Sequence, residues 1–330
     1  MQGDTRFLEQ TTLPQQQLIL QKNIYDTNRV FKILQGRKKD AAGQSLAWRT
    51  VAHRNETIGK FSGLSFVNSQ SNNPLEGLSL SPGKYAGSVT FAWDELKQNR
   101  GNKEKLVDMS TAQMQNVEDS MQEETGLDAY TGTVATAPAF QGLIGLQTAV
   151  AATGTYAGIN RTSDANVFWR SNVKTEAPSP TDMENVVATT YLPRLMAAGY
   201  SAADHGKAPN YIITTETIYN AYMIIAQVNN LKIGNGKADL GFPNLEYQGA
   251  VLFYDKYCPT YHMFMLQTED WNLYVYPDAD FDFVKDDETG SIWVRGQNQL
   301  GQTAYIAFMG QIQCQKPRQQ TKFTLLGSGS

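Results

Sequence analysis

Apolar positions along this chain fall into short alternating runs, broken by a few helical stripes. Val89, Phe91 and Trp93 alternate with Ser88, Thr90 and Ala92, the period of a half-buried strand. A second β-rich piece covers 61–67, and the polar run 68–74 (Asn68, Ser69, Gln70, Ser71, Asn72, Asn73, Pro74) between them has loop chemistry. The stretch 48–93 therefore predicts a long hairpin-like excursion with a polar tip. A hairpin alone is marginal in water, so it is expected to lean on neighbouring surface. Met114, Val117 and Met121 at i, i+3 and i+7 predict a helix over 103–125. Ser110 with Gln113 reads as an internal capping box, and Gly126 as the stop. A second helix is expected over 181–199: Thr181 and Glu184 form a capping box, Pro193 splits it, and Gly199 ends it. The clearest stripe, Ile218, Tyr222 and Ile225, predicts a helix over 216–229, fed directly by a strand over 211–214. Beyond it the chain turns β-rich at 250–254, 263–267, 273–276, 292–294 and 304–314. Residues 1–46 show no clean period and read as an arm that packs on something else. Helices and strands mix without a regular βαβ rhythm or an internal repeat, so the expected class is α+β.

Composition narrows the class. The chain has 330 residues, 41% of them apolar, enough for a sizeable core. Only 18% are charged, against about 25% in typical domains; 26 Gln and 21 Asn fill the gap. A polar, weakly charged surface suits extensive contact with other chains. The net charge of −4 argues against holding nucleic acid through a broad basic surface. Charge is uneven: 1–46 is +3 and 94–126 is −4. Cys258 and Cys314 are too few for a disulfide framework and read as reduced thiols. The N-terminus has no apolar signal region and no stretch reaches membrane-spanning length. The closing 327–330, Gly-Ser-Gly-Ser, is assigned no function.

Catalytic motifs are missing. There is no Walker A sequence, no G-x-S-x-G and no H-E-x-x-H, and the Gly234, Gly236, Asp239 cluster breaks the dinucleotide pattern and reads as a turn. Of three histidines, His53, His205 and His262, only His262 lies near a cysteine, four residues after Cys258. On a strand those positions sit about 13 Å apart, and Pro259 opposes a helix. The most unusual local pattern is Asp278, Asp280 and Asp282, alternating with Ala279, Phe281 and Phe283. On a strand the three carboxylates share one face, about 6.6 Å apart. That is a solvated face, or a contact with basic groups of another subunit. Phe283 and Thr289 stand where an EF-hand needs glycine and glutamate, which excludes that motif. No catalytic, cofactor or metal site is expected, and the chain does not read as an enzyme. A hydrolase built on Cys258 or a serine with His262 is the competing class.

Two blocks carry a resemblance. The first is Phe140, Gln141, Gly142, Leu143, then Gly154, Gly158, Ile159, Asn160, Arg161, then Phe168, Trp169, Arg170. The second is Asn210 to Thr215 with the helix holding Ile218 and Tyr222, then Phe253, Tyr254, Asp255, Lys256, Trp271, and Tyr276, Pro277, Asp278. In this order they resemble the major capsid proteins of tailed double-stranded DNA bacteriophages, which have the Hong Kong 97-type capsid fold. The resemblance covers about 90–330, and the arms by layout alone. It implies an N-terminal arm over 1–46, an extended loop over 47–95, and a peripheral domain over 96–172 whose spine helix is the 103–125 segment. An axial domain follows over 173–283. Over 284–330 the strands return to the peripheral domain before a basic tail with Lys316, Arg318 and Lys322.

The resemblance also implies a function. Copies of the chain would form pentamers and hexamers that close into the icosahedral phage head around double-stranded DNA, held by proximity and not by sequence. Implied partners are the chain itself, a separate scaffolding protein, a portal protein and a decoration protein, with no membrane. The scaffold is expected to be separate, without N-terminal cleavage, because 1–46 has no long heptad. The implied location is the virion shell, assembled in the host bacterial cytoplasm. The alternative is the shell of an encapsulin-like bacterial nanocompartment. Inter-subunit contact candidates are Leu75, Leu78, Leu80, Phe91 and Trp93 on the loop, and Asp278, Asp280 and Asp282.

Overall fold

The computed structural model describes residues 13–52, 57–63, 73–98, 103–133, 141–176, 207–228, 245–247, 249–286, 290–294 and 301–325. In chain order the elements are α1 (Leu13–Thr27), α2 (Arg29–Gln35), β1 (Lys38–Asp40), β2 (Leu46–Val51), β3 (Leu75–Leu80), β4 (Gly83–Ala92), α3 (Trp93–Gln98) and α4 (Lys103–Thr131). Then come α5 (Leu146–Ala149), β5 (Thr155–Tyr156), β6 (Ile159–Asn160), β7 (Asn172–Glu176), β8 (Tyr211–Thr214) and α6 (Glu216–Val228). The rest is β: β9 (Leu245–Tyr247), β10 (Ala250–Tyr254), β11 (His262–Leu266), β12 (Trp271–Phe283), β13 (Trp293–Val294), β14 (Gly301–Cys314) and β15 (Thr321–Leu325). The mixture without βαβ order is the α+β class the sequence predicts. The expected helix over 181–199, the Gly234–Gly236 turn, His53, His205 and 68–72 lie outside the described residues.

The chain divides into two units. The first comprises Met1–Gly43, Pro82–Leu146 and Trp271–Gln313. Its sheet runs β1-β12-β14-β13, and β4 also pairs with β14. The β4–β14 pairing is antiparallel over ten residues, from Gly301↔Ala92 to Gly310↔Gly83. The odd side chains of β4 point inward as the alternation predicts: Val89 is 1% and Phe91 0% exposed. α4 lies against β4 so closely that a Cβ on Gly87 would stand 2.7 Å from Val117 Cγ1. Met114 and Met121 are buried on the same helix.

α4 differs from expectation at both ends. Ser110 does not open it: the residue is buried inside the helix and its hydroxyl donates to the Val107 carbonyl at 2.8 Å, which satisfies the group without a cap. Gly126 does not close it either. The helix continues to Thr131, and Gly132 donates to the Asp128 carbonyl at 2.9 Å. Only glycine fits there, because a Cβ would lie 1.9 Å from the Leu143 carbonyl oxygen.

The second unit comprises Gln44–Ser81, Gln147–Asp270 and Cys314–Ser330. Its six-stranded mixed sheet has the order β7-β15-β11-β8-β10-β9. Strand β8 pairs parallel with β10 and antiparallel with β11. α6 covers the sheet through Ile218, Tyr219 and Tyr222, which join Ile212, Leu252, Met263, Met265 and Phe323 in one core cluster. The stripe predicted at i and i+4 is thus the packed face. Strands β2 and β3 form a separate antiparallel hairpin, with Leu46↔Leu80, Trp48↔Leu78 and Val51↔Leu75 in register.

The stretch expected as one loop over 47–95 is therefore divided. β2 and β3 belong to the second unit, whereas β4 is a sheet strand of the first. Residues 61–63 are not strand, and 64–67 lie outside the described residues. Similarly, the span expected to be axial, 173–283, passes from the second unit to the first at Trp271.

Candidate assembly surfaces

The carboxylate row is engaged by the chain's own N-terminal helix. Asp280 Oδ1 accepts from the Tyr25 hydroxyl at 2.7 Å, and Oδ2 from Gln21 Nε2 at 2.6 Å. Lys38 Nζ pairs with the same carboxylate, and Gln17 Nε2 donates to Asp282 Oδ1. Gln17, Gln21 and Tyr25 are spaced i, i+4, i+8, about 6.0 Å per step at 1.5 Å rise. Gln21 and Tyr25 converge on Asp280 while Gln17 reaches Asp282, so the stripe engages two of the three carboxylates. On its other side α1 donates from Gln16 to Thr111 and from Asn23 to Glu118 of α4. The N-terminal segment is thus part of the first unit. Its Tyr25 and Phe31 rings join Phe281 and Phe308, the last two stacked at 4.4 Å.

Strict alternation fails at this row, and the solvated-face reading fails with it for Asp280. Phe281 faces Phe308, while the Tyr274 carbonyl lies against Gly310. The Gln315 N–H donates to the Asp270 carbonyl and the Val284 N–H to the Tyr305 carbonyl, so fourteen steps along β12 match ten along β14 and β12 carries a bulge. Phe281 sits at φ 59°, a left-handed conformation unusual for a large side chain. The result buries neighbours together: Asp280 is 6% and Phe281 0% exposed, whereas Asp278 remains exposed. Burial, the Asp280 charge and the hydrogen bond to it hold the Tyr25 hydroxyl protonated far beyond its usual range. Burial also raises the Asp282 carboxyl, with Asp280 and Asp278 adding to the shift and the Asp280 N–H and Lys38 opposing it.

The loop candidates separate in the same way. Leu78 and Leu80 are each 3% exposed and Phe91 0%. They are covered within their own chain, so these three contact candidates present no exposed face to a neighbour. Ser79 N–H donates to the Ala157 carbonyl at 3.3 Å, anchoring that end of the hairpin. Leu75 stays 42% exposed, and Trp93, which opens α3 instead of continuing β4, also 42%. Unmarked by the alternation are Val51, Ile58 and Phe61, at 66%, 68% and 72% exposed.

Arg161 of the resemblance block has an architectural role. Its guanidinium is fully buried and donates to the carbonyls of Thr148, Ala149 and Ala151. Those oxygens close the C-terminal end of α5, where a cation is favourable. The Tyr156 ring lies 5.0 Å from it. Burial lowers the group to about 10, leaving it charged at neutral pH. Trp169 donates from Nε1 to the Tyr156 carbonyl at 3.1 Å, and the Tyr156 hydroxyl accepts the Cys314 N–H at 2.8 Å. Arg161, Tyr156 and Trp169 thus form a buried scaffold of the second unit, whereas Gly142 and Leu143 of the same block belong to the first.

Nothing in the geometry favours thiol chemistry. A turn, not a strand, joins β10 to β11, so Cys258 and His262 lie closer than the extended reading implies. Even so, Cys258 Sγ contacts the His262 backbone carbonyl at 3.7 Å, not its ring. Burial and Asp255 push the thiol well up. The His262 ring engages the Thr260 carbonyl at 2.8 Å and Gln147 at 3.4 Å. Among the described residues no group of three or more His, Cys, Asp or Glu could hold a metal, and no helix is long and apolar enough to cross a membrane.

No family model matches the chain, and no curated protein does. Solved structures do. The capsid of cyanophage A-1(L) superposes with a TM-score of 0.65 at 17% identity, covering 91% of this chain and 93% of that one. The capsid of the empty GTA particle gives 0.59 at 9% identity, covering 91% and 96%. The native GTA capsid gives 0.55 at 10%, covering 91% and 90%. Matches across nine-tenths of both partners span both units, and the chain accordingly has the Hong Kong 97-type capsid fold.

Proposed function

We propose that this chain is a structural shell protein: copies form pentamers and hexamers that close into a phage head enclosing double-stranded DNA. The supporting observation is the full-length likeness to phage and GTA capsids. The exposed apolar end of the β2–β3 hairpin adds to it, since Val51 is 66% and Leu75 42% exposed in the single chain. In this reading the first unit is the peripheral domain with α4 as spine helix, and the second is the axial domain with the extended loop. A separate scaffolding protein, a portal and a decoration protein are its partners, and the virion shell its location, reached from the host cytoplasm. The amide-rich, weakly charged composition suits surfaces that meet copies of themselves. The net charge of −4 suits a shell that is filled, not one that condenses DNA itself. Particles purified from cells making the whole set of head proteins test this. Nuclease-protected double-stranded DNA is expected inside; shells holding only protein cargo would favour a nanocompartment instead.

A further inference from the structure

Strand parity divides the six-stranded sheet of the second unit into two unlike faces. Met263, Met265 and Phe323 turn to the α6 core, so His262 on β11 and Lys322 and Thr324 on β15 turn to the opposite face. His262 stands opposite Thr324, and Thr324 opposite Thr175 of β7. Three polar side chains therefore lie side by side on strands about 4.8 Å apart. Lys322 shares their face two residues before Thr324. Thr175 is exposed, whereas His262, Lys322 and Thr324 are half-buried.

The charge on this face is one-sided. Lys322 Nζ donates to the Gln147 carbonyl at 3.4 Å, its one hydrogen-bond partner among the described residues, whereas an ammonium has three donors. Among the described residues no carboxylate pairs with Lys322, His262 or Arg161. Burial and then the Arg161 charge lower the Lys322 ammonium from its ordinary value. The Arg161 guanidinium is already committed to the carbonyls of Thr148, Ala149 and Ala151. Those oxygens carry only partial charge, so they leave the net positive charge of the cluster uncancelled. A partly desolvated ammonium without a counter-ion is unfavourable. Gln147 adds a neutral donor. His262 Nδ1 donates to the Thr260 carbonyl at 2.8 Å, so its Nε2 accepts from Gln147 Nε2 at 3.4 Å, and the amide has a second hydrogen to give.

We propose that this face binds a phosphate-class oxyanion, with Lys322 supplying the charge and Thr324, Thr175 and the Gln147 amide supplying directed hydrogen bonds. Arg161 adds positive field, and His262 is a positioning residue that orients Gln147. A tetrahedral oxyanion accepts several hydrogen bonds at once, which suits an ammonium, two hydroxyls and an amide set around one spot. Bonds from the ammonium are charge-assisted and therefore the strongest of the set. Inorganic phosphate and the phosphodiester of a nucleic acid both present this chemistry. The site lies wholly within the second unit and does not depend on the shell reading.

Thermal melting and isothermal titration of the full chain with inorganic phosphate, against chloride at equal ionic strength, test the site. The parent is expected to melt higher in phosphate, with the gain saturating as phosphate rises. Lys322→Met is expected to bind phosphate about tenfold more weakly or worse, the equivalent of one hydrogen bond to a charged group, and to lose the gain. In chloride the same variant should melt no lower than the parent, because it removes an ammonium without a counter-ion. Thr324→Val and Gln147→Leu remove one neutral donor each and should weaken phosphate binding by a smaller factor; they carry the test if Lys322→Met does not fold. A short DNA duplex supplies the second arm. Displacement of phosphate by the duplex, lost in Lys322→Met, assigns the site to a nucleic-acid backbone; phosphate binding that the duplex leaves unchanged assigns it to a free ion. No melting gain beyond chloride overturns the proposal, and so does an equal gain in the parent and in all three variants.

Discussion

The Tyr25 hydroxyl donates to Asp280 Oδ1 at 2.7 Å, tying the N-terminal helix to a strand that begins more than two hundred residues later. Tyr25→Phe keeps the ring contacts with Phe31 and Phe281 and removes one hydrogen bond to a buried carboxylate. The expected loss is about 1.5–3 kcal/mol, the usual range for a bond to a charged group. Urea unfolding reads the loss. Faster tryptic cleavage at Lys22 and Arg29, with the rest of the chain resistant, would locate it in α1. An unchanged midpoint would show that the aromatic cluster alone holds the helix.

Asp282 makes a pH-dependent contribution of the opposite kind. Its folded carboxyl is raised, so the folded state holds this proton more tightly than the unfolded chain does. Stability from this group is then fully present below the ordinary carboxylate value near 3.9. It is lost as pH rises through the higher folded value. Asp282→Asn retains an oxygen for Gln17 and removes the charge. It is expected to raise the melting temperature at pH 7, with the gain vanishing as pH falls toward 4. A variant less stable than the parent at pH 7 would contradict that sign.

Arg161 is expected to be indispensable to the second unit. Arg161→Met removes the donors to three carbonyls, and each orphaned buried group costs about 1–3 kcal/mol. Chemical denaturation should show a loss of about 3 kcal/mol or more, with Arg161→Lys intermediate. A loss below about 1 kcal/mol would mean that water reaches those carbonyls.

The hairpin separates stability from assembly within one short segment. Leu78 is buried and Leu75 exposed, so aspartate at the two sites should act differently. Leu78→Asp is expected to destabilise the subunit by about 3 kcal/mol or more, since a charge enters an apolar site. Leu75→Asp should change stability by about 0.5 kcal/mol at most and impair assembly. Melting curves beside sedimentation profiles distinguish the two, and equal melting temperatures would refute the assignment of inside and outside.

What the sequence reveals about this fold depends on range. The strand–helix unit of β8 and α6 is legible because Ile218 and Tyr222 repeat at the helical period and both face the sheet. Leu75, Leu78 and Leu80 read as one group, since nothing local distinguishes them; the end that is buried is also the end tied by a distant contact, Ser79 to Ala157. The Asp278–Asp282 row misleads for a related reason. Period-2 logic assumes a regular ladder, and the left-handed Phe281 lies in a bulge that only the pairing of β12 with β14 specifies. The end of α4 follows the same rule. Gly126 and Gly132 are equal candidates locally, and the approach of Leu143 selects Gly132. The engagement of the carboxylates by α1 has a sequence trace in hindsight: Gln17, Gln21 and Tyr25 are donors at i, i+4 and i+8, a polar stripe that an apolar search passes over.

Closure of this chain into a shell is decided by negative-stain imaging of the purified full chain with scaffold supplied, alongside sedimentation of the same sample. Rings of five and six copies and closed particles of megadalton mass are expected. A monodisperse monomer at every protein and salt concentration, with intact circular dichroism, would contradict closure and leave the capsid fold serving some other purpose.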